Sequence, residues 1–302
     1  MLRSVPLIEE HNLRSWGGFL KRLKEITRTS GADLLFRGHG DSRWSLHTTL
    51  ERRGQGRMLV AGYYRLMGRV TPQVESFTDR TFEVPSYPKL KKDLEEYDGF
   101  SRTLTFGPFP AASYLIYTRH HGFPSPLLDW TRSAYIAAFF AFAAEHKQVK
   151  RRSIYVWQRA EMRAHGTNEP ELHKVGQYVR THRRHVLQQC NYTICATYST
   201  ENKEWRFTPH EEYFTRDTGT LPPDRVWKFN LPSKERLTIL KFLDAFNLNA
   251  YSLFGSDDSL METLALRELD LHTRSDAPTS STLAPPVRAG QAPPTVPSRT
   301  RK

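Results

Sequence analysis

The sequence predicts an α+β fold in one main domain, with α/β as the alternative, because helical and strand patterns are mixed along the chain. Residues 134–144 form an apolar run in which alanine surrounds a face of Ile and Phe, as is typical of a buried helix. Residues 153–157 and 192–197 are rich in β-branched and aromatic side chains, which favours strands. We therefore expect packed helices against a small mixed or antiparallel sheet.

The other elements follow from apolar periodicity and from breaks at Gly and Pro. A strand is expected at 34–38, where an apolar run meets a glycine, and a second short one at 127–128. An extended piece is possible at 44–46. Further helices are predicted at 13–29, 58–70, 113–121, 234–246 and 257–269.

These elements divide the chain into three parts. We expect a helical segment at 1–29, the main domain at 30–270 and a tail at 271–302. The tail is basic and rich in Pro, Ser and Thr, and it repeats Ala-Pro-Pro without any apolar spacing that could build a core. Such a composition predicts disorder.

Composition excludes several classes of protein. The run at 134–144 is about half the length that a membrane-spanning helix needs. Cys190 and Cys195 are too few for a disulfide framework, and 12% aromatic residues argue against complete disorder. Residues 1–14 are charged and lack the apolar stretch of a signal peptide. We therefore expect a cytoplasmic protein with no membrane partner.

The net charge of +12 is concentrated in two stretches. Residues 145–185 carry ten basic and four acidic side chains, and residues 271–302 carry five and one. A basic stretch can attract nucleic acid or a phosphorylated ligand, and a solvated surface explains it equally well. No zinc-finger, homeodomain or RNP pattern is present, which disfavours sequence-specific recognition of DNA.

Two segments are unusual enough to identify a family. The first is the tripeptide Phe-Arg-Gly at 36–38, which ends the predicted strand. The second, at 120–131, reads His-His-Gly-Phe-Pro-Ser-Pro-Leu-Leu-Asp-Trp-Thr and leads into the apolar helix. Together they resemble the FRG domain, whose members share a Phe-Arg-Gly strand end and a His-x-Gly-x-Pro-x-x-Leu-Leu-Asp-Trp-Thr block.

Weaker matches extend this resemblance to roughly residues 30–270. Residues 184–193 fit a family element of the form Arg-x-x-x-Gln-x-Gly-x-Phe-Thr, and Leu-Phe at 253–254 precedes an acidic helix as in the family. The chain departs from the family pattern at three positions: Arg119 in place of Gln, Pro126 in place of Arg and Cys190 in place of Gly.

Arg37 is the first candidate for ligand binding. An arginine at a strand end presents a rigid set of donors that suits phosphate. The neighbouring Gly38 allows a ligand or a second backbone to come close. The alternative is a buried ion pair between Arg37 and Asp129 that pins two strands, because a buried arginine needs a carboxylate.

The block that ends in Asp-Trp-Thr supplies the other candidates. Thr131 and Ser133 either cap the following helix or present hydroxyls to an anionic ligand at its N-terminus. Trp130 stacks on a base or nicotinamide, or it anchors the core. His120 and His121 either bind phosphate or ribose and act in acid–base chemistry, or are structural. No spacing of Cys, His and carboxylates is that of a zinc site, so no metal is expected.

The order of these parts also resembles ADP-ribosyltransferases of the Arg–Ser–Glu type, which implies NAD as the cofactor. By that resemblance Arg37 holds the pyrophosphate, Thr131 or Ser133 orients the nicotinamide ribose, and Gln188 stands near the catalytic glutamate. The catalytic candidates are then Arg37, His121, Thr131 and Gln188. The cofactor-binding candidates are Arg37, Gly38, His120, His121, Asp129, Trp130, Thr131 and Ser133.

Gln188 cannot carry the negative charge that stabilises an oxocarbenium-like centre. An altered transferase and a pocket that binds without catalysis both stay open. The other carboxylates that could replace the missing glutamate are Glu201, Glu204 and Glu262.

Three functions are therefore considered. We favour a nucleotide-binding protein that acts on a protein or nucleic-acid acceptor as an ADP-ribosyltransferase-like toxin or defence effector. The alternatives are a non-catalytic nucleotide- or nucleic-acid-binding module and a purely structural interaction domain. A serine hydrolase, a zinc protease and a P-loop enzyme are disfavoured, because none of their motifs occurs.

Overall fold

A mixed sheet of eight strands organises the part of the chain that the computed structural model describes, residues 8–30, 33–95, 110–159, 168–175, 179–215 and 224–271. The strands are β1 (Ile8–Asn12), β2 (Leu34–His39), β3 (Leu128–Thr131), β4 (Arg151–Gln158), β5 (Glu171–Val175), β6 (Cys190–Ser199), β7 (Glu204–Phe207) and β8 (Arg225–Pro232). Their order is β1-β8-β4-β2-β3-β6-β5, with β7 paired to β6. The β1–β8 pair is parallel and the others are antiparallel.

Ten α-helices surround this sheet within the described ranges. They are α1 (Trp16–Thr29), α2 (Val60–Thr78), α3 (Tyr87–Glu95), α4 (Ala112–His120), α5 (Ala134–Phe142), α6 (Arg183–Leu187), α7 (His210–Thr215), α8 (Arg236–Ala245), α9 (Ala250–Phe254) and α10 (Asp257–Ala265). Helix α10 continues into a π-helical turn at Leu266–Leu271, and short 3₁₀ helices lie at Glu51–Arg53 and Ser233–Glu235. The predicted α+β class is confirmed.

Helix α5 is the apolar run expected at 134–144, and it packs on β2 at the centre of the sheet. Ser133 begins the helix by accepting a hydrogen bond from the Ile136 amide at 3.3 Å. Gly38 faces α5, and a Cβ built at this glycine would lie 1.9 Å from the Ala137 carbonyl oxygen. Of the two explanations for this glycine, close approach of a second backbone is therefore the one that the packing shows.

Two arginines cap the C-terminal end of α5. Arg152, which is 1% exposed, donates to the carbonyl oxygens of Ala141 and Ala144. Arg236 donates to those of Phe142 and Ala143. These bonds satisfy the last carbonyls of a buried helix, which have no intrahelical partner. Arg152, one of the ten basic residues at 145–185, is therefore structural and not part of a surface for nucleic acid.

Four strands were not predicted from the sequence: β1, β5, β7 and β8. Apolar and polar residues do not alternate regularly in β1 (Ile-Glu-Glu-His-Asn). It is a strand because it pairs with β8, whose residues lie more than 200 positions away in the sequence. The extended piece expected at 44–46 is not a strand.

The predicted disordered tail lies outside the described residues, apart from Leu271. No described helix combines the length and the apolar composition needed to cross a membrane.

Candidate functional site

A cavity of about 310 Å³ opens where β2 and β3 separate. These strands pair only at Phe36 and Thr131, so a gap forms beyond that point. The cavity lies at the lower end of the size range of small-molecule sites. Its lining comprises Phe36, Arg37, Gly38, Gly40, Trp44, Arg119, His120, Asp129, Trp130, Thr131, Phe140, Arg184, Gln188, Cys190 and Phe254.

Arg37 bridges the gap between the two strands. Its Nη1 donates to the Asp129 carbonyl oxygen at 2.5 Å and lies 4.0 Å from the Asp129 carboxylate. Its Nε donates to His39 Nε2 at 2.9 Å. Burial lowers the pKa of Arg37 to about 10, although Asp129 opposes the shift, so Arg37 stays cationic at neutral pH. The expected link between Arg37 and Asp129 is present, mainly through the backbone carbonyl.

Arg119 is the closest basic partner of the Asp129 carboxylate. It is one of the three residues at which the chain departs from the family pattern, and its Nη2 donates to Asp129 Oδ2. Asp129 Oδ1 and Arg119 Nε are buried and have no hydrogen-bond partner. A buried unpaired polar atom is costly, so these two atoms mark places where a bound ligand or water would be favourable.

Arg184 adds a third guanidinium from α6, on the far side of the cavity. Its Cζ lies 5.4 Å from the ring centre of Phe254, and no described carboxylate pairs with it. Phe254, Phe140 and the half-exposed Trp44 supply aromatic walls. The cavity therefore combines three arginines and one aspartate with flat apolar surfaces.

His39 fixes the orientation of Arg37 from behind the cavity. Burial and then Arg37 lower the pKa of His39 to about 3, so its ring is neutral at pH 7. Because Nε2 accepts from Arg37, the proton must lie on Nδ1, which donates to the Trp44 carbonyl at 3.2 Å. One neutral histidine thus positions both Arg37 and the Trp44 segment.

His120 belongs to a hydrogen-bonded chain that leads away from the cavity. Its Nε2 lies 2.7 Å from the Tyr192 hydroxyl, which lies 3.2 Å from His185 Nδ1. Burial lowers the pKa of His120 to about 4, although Asp129 opposes the shift, and burial raises the pKa of Tyr192.

Burial also raises the pKa of the Cys190 thiol to about 12, which disfavours a reactive thiolate at neutral pH.

The predicted hydroxyl and amide groups are used within the fold. Thr131 Oγ1 donates to the Gln188 carbonyl at 2.8 Å and accepts from the Ser133 amide at 3.2 Å. The Gln188 side chain donates to the Leu253 carbonyl at 3.2 Å. Because Leu253 precedes Phe254, Gln188 helps to position one aromatic wall of the cavity.

Trp130 is a core anchor with a specific hydrogen bond. It is 2% exposed, and its indole N–H donates to Thr193 Oγ1 at 3.0 Å. Thr193 Oγ1 lies 3.0 Å from His210 Nε2, and His210 Nδ1 lies 3.2 Å from Glu51 Oε1. The chain of hydrogen bonds joins β3, β6 and α7 to the 3₁₀ turn at Glu51–Arg53.

We expect Trp130→Phe to reduce the free energy of unfolding by about 2 kcal/mol, since it removes ring volume and the donor to Thr193. Urea unfolding measures this loss. The matched control is Trp44→Phe, because Trp44 is 48% exposed and its side chain donates no hydrogen bond to a described residue. Equal stability of the two variants would contradict an anchoring role for Trp130.

The structure brings most of the predicted site residues together. Seven of them line the cavity: Arg37, Gly38, His120, Asp129, Trp130, Thr131 and Gln188. His121 lies against Tyr117 and His182 instead, and Ser133 caps α5 and lines a different cavity. None of Glu201, Glu204 and Glu262 lines the site.

Sequence reasoning missed several lining residues as site residues. Among the most important are Arg119, Arg184, Phe140 and Phe254. Arg119 offered a signal, because it is a charged residue where the family usually has Gln. Arg184 and Phe254 stand within the weaker family matches, but their convergence depends on contacts distant in sequence. Among the described residues, no three His, Cys, Asp or Glu side chains are grouped as a metal site requires.

Comparison with known proteins finds a family model that matches part of the chain. The model of the FRG domain matches residues 32–150, which include the Phe-Arg-Gly tripeptide and the Leu-Leu-Asp-Trp-Thr block. No curated protein and no solved structure matches the chain. The resemblance to ADP-ribosyltransferases therefore stays a prediction. Most of the residues that line the cavity fall within the matched range. The chain therefore carries an FRG domain.

Proposed function

We propose that the cavity between β2 and β3 binds a nucleotide through its phosphate groups, with NAD as the nucleotide that the sequence favours. One observation carries the proposal: Arg37, Arg119 and Arg184 share a cavity in which Asp129 is the lining carboxylate. The three guanidinium groups and the single carboxylate together give the cavity lining a net charge of +2. A phosphate or pyrophosphate balances such an excess and accepts the paired hydrogen bonds that arginine offers.

The aromatic walls favour a ligand with a flat ring. Phe140 and Phe254 contact each other edge to face with ring centres 6.1 Å apart, and Trp44 is 48% exposed beside the cavity. A base or nicotinamide ring stacks favourably on such side chains. Inorganic phosphate uses the arginines alone, so we expect a nucleotide to bind more tightly than free phosphate.

ADP-ribosyl transfer, and with it a role as a toxin or defence effector, needs a carboxylate near the nicotinamide ribose. Asp129 is the candidate among the lining residues, and its Oδ1 is buried and unpaired. Two arginines lie against its other oxygen, so that oxygen is already engaged in ion pairs within the fold. We therefore propose nucleotide binding as the function and transfer as an activity to be measured.

The test is calorimetric titration of the full chain with NAD, ADP-ribose and AMP, together with incubation of labelled NAD with protein and cell extract. We expect Arg184→Gln to weaken nucleotide binding at least about tenfold, because it removes one charge-assisted contact. Arg184 has no ion pair in the described structure, so the variant should fold.

Arg183→Gln is the matched control, since it makes the same change of charge on the same helix at an exposed side chain outside the cavity lining. Equal loss in both variants would show that net charge, not the cavity, determines binding. Absence of binding by the parent protein would overturn the proposal. Conversion of labelled NAD would add the transferase activity.

A further inference from the structure

A second cavity, of about 460 Å³, lies where β2 and β6 begin, beside the N-terminus of α5. Its lining differs from that of the first cavity, and Phe36 is a residue that lines both. Cys190 lines the first cavity, and the next residue along β6, Asn191, lines the second. The second cavity also contacts the end of α1 and the start of β2.

Asn191 is the residue that marks this cavity as a site. It is 4% exposed, and its side-chain amide makes no hydrogen bond to a described residue. Ser30 lines the same cavity, and its Oγ is buried without a partner. Buried polar atoms nearly always have partners, so the unpaired Ser30 Oγ beside Asn191 marks a place where a hydrogen-bonding ligand or water would be favourable.

Two basic side chains also line the cavity. Lys174 pairs in register with Thr193 on β6, and Arg132 follows the end of β3. Neither forms an ion pair with a described carboxylate, and Asp33 is the acidic residue on the wall. Burial lowers the pKa of Lys174, although Asp33 and Asp224 oppose the shift, and its Nζ lies 6.0 Å from the ring centre of Trp157.

The N-terminus of α5 adds main-chain donors. The helix has nine residues, and its first residue, Ala134, lines the cavity. The first amides of a helix have no intrahelical acceptor and point toward any group placed at that end. The Ser133 side chain satisfies the Ile136 amide, which leaves the earlier amides for another acceptor.

We infer that this second cavity binds a small molecule through an oxyanion, a phosphate or a carboxylate, held between Lys174, Arg132 and the N-terminus of α5, with Asn191 as a hydrogen-bond partner. This site shares no charged residue with the proposed nucleotide cavity. The inference does not depend on the proposed function.

The experiment uses full-length protein carrying Arg184→Gln, so that the first cavity is weakened. Inorganic phosphate and acetate are titrated separately, and amide resonances are followed by NMR. We expect phosphate to shift the Ala134 and Tyr135 amides, and to bind more tightly than acetate because it carries more charge. If acetate binds more tightly, the ligand is a carboxylate.

Adding Lys174→Met should weaken phosphate binding roughly tenfold, since it keeps the apolar stem and removes the charge. Lys24→Met, an exposed site on α1, is the matched control and should bind as the parent does. Asn191→Leu is the second variant, and it should weaken binding even if Lys174→Met fails to fold. Unchanged binding in the folded variants, or no shift of the Ala134 amide in the parent, would overturn the inference.

Discussion

Replacement of Gly38 by alanine should destabilise the protein by at least about 3 kcal/mol, the largest effect that we expect from a single methyl group. The added Cβ would lie 1.9 Å from the Ala137 oxygen and 2.7 Å from the Ala141 nitrogen. Both are main-chain atoms of α5, so relief requires the whole helix to move away from β2. Because Phe140 on this helix lines the first cavity, the surviving folded protein should also bind nucleotide more weakly.

Urea unfolding of Gly38→Ala beside Gly68→Ala tests this expectation. Gly68 lies within α2, and a Cβ there meets no atom within 4 Å. Alanine at position 68 should therefore stabilise the protein by about 0.5–1 kcal/mol, since alanine is the better helix former. If both variants unfold at the parent's urea concentration, the close packing of α5 on β2 is not what requires glycine.

Stability should also fall steeply as the pH drops from about 6.5 to about 4. Burial lowers the pKa of His39 to about 3 and that of His120 to about 4, whereas an unfolded histidine titrates near 6.5. Within this range the unfolded chain binds protons that the folded protein does not. Each histidine then removes about 1.4 kcal/mol of stability per pH unit, and the full stability is present above pH 6.5.

The measurement is the free energy of unfolding in urea at half-unit steps from pH 7.5 to 4.5. His120→Gln should make the slope shallower by about one proton, because the remaining contribution comes mainly from His39. His47→Gln is the control, since the His47 side chain is 44% exposed. A slope that is the same for the parent and for His120→Gln would show that His120 does not titrate as its burial requires.

Local patterns were sufficient to predict the parts of the fold that depend on neighbours in sequence. The apolar run at 134–144 became α5 (Ala134–Phe142), and the segment at 34–38 became β2 (Leu34–His39). In contrast, β8 (Arg225–Pro232) mixes charged and aromatic residues and is a strand because β1 and β4 pair on either side of it. Such pairing has no local signal, since it joins distant segments.

The candidate site divides in the same way. The sequence by itself determined the Phe-Arg-Gly and Asp-Trp-Thr segments, the resemblance that they carry, and a candidate helix cap at Thr131 or Ser133, because each depends on residues close together in the chain. The structure places the cap at Ser133. The tertiary structure decided that the carboxylate of Asp129 pairs most closely with Arg119, that Arg184 faces the same cavity, and that His121 does not. The physical reason is that β2 and β3 separate after one residue pair. Residues of α4, α6 and α9 line the resulting gap. The chemistry of the cavity therefore depends on contacts between segments that are distant in the sequence.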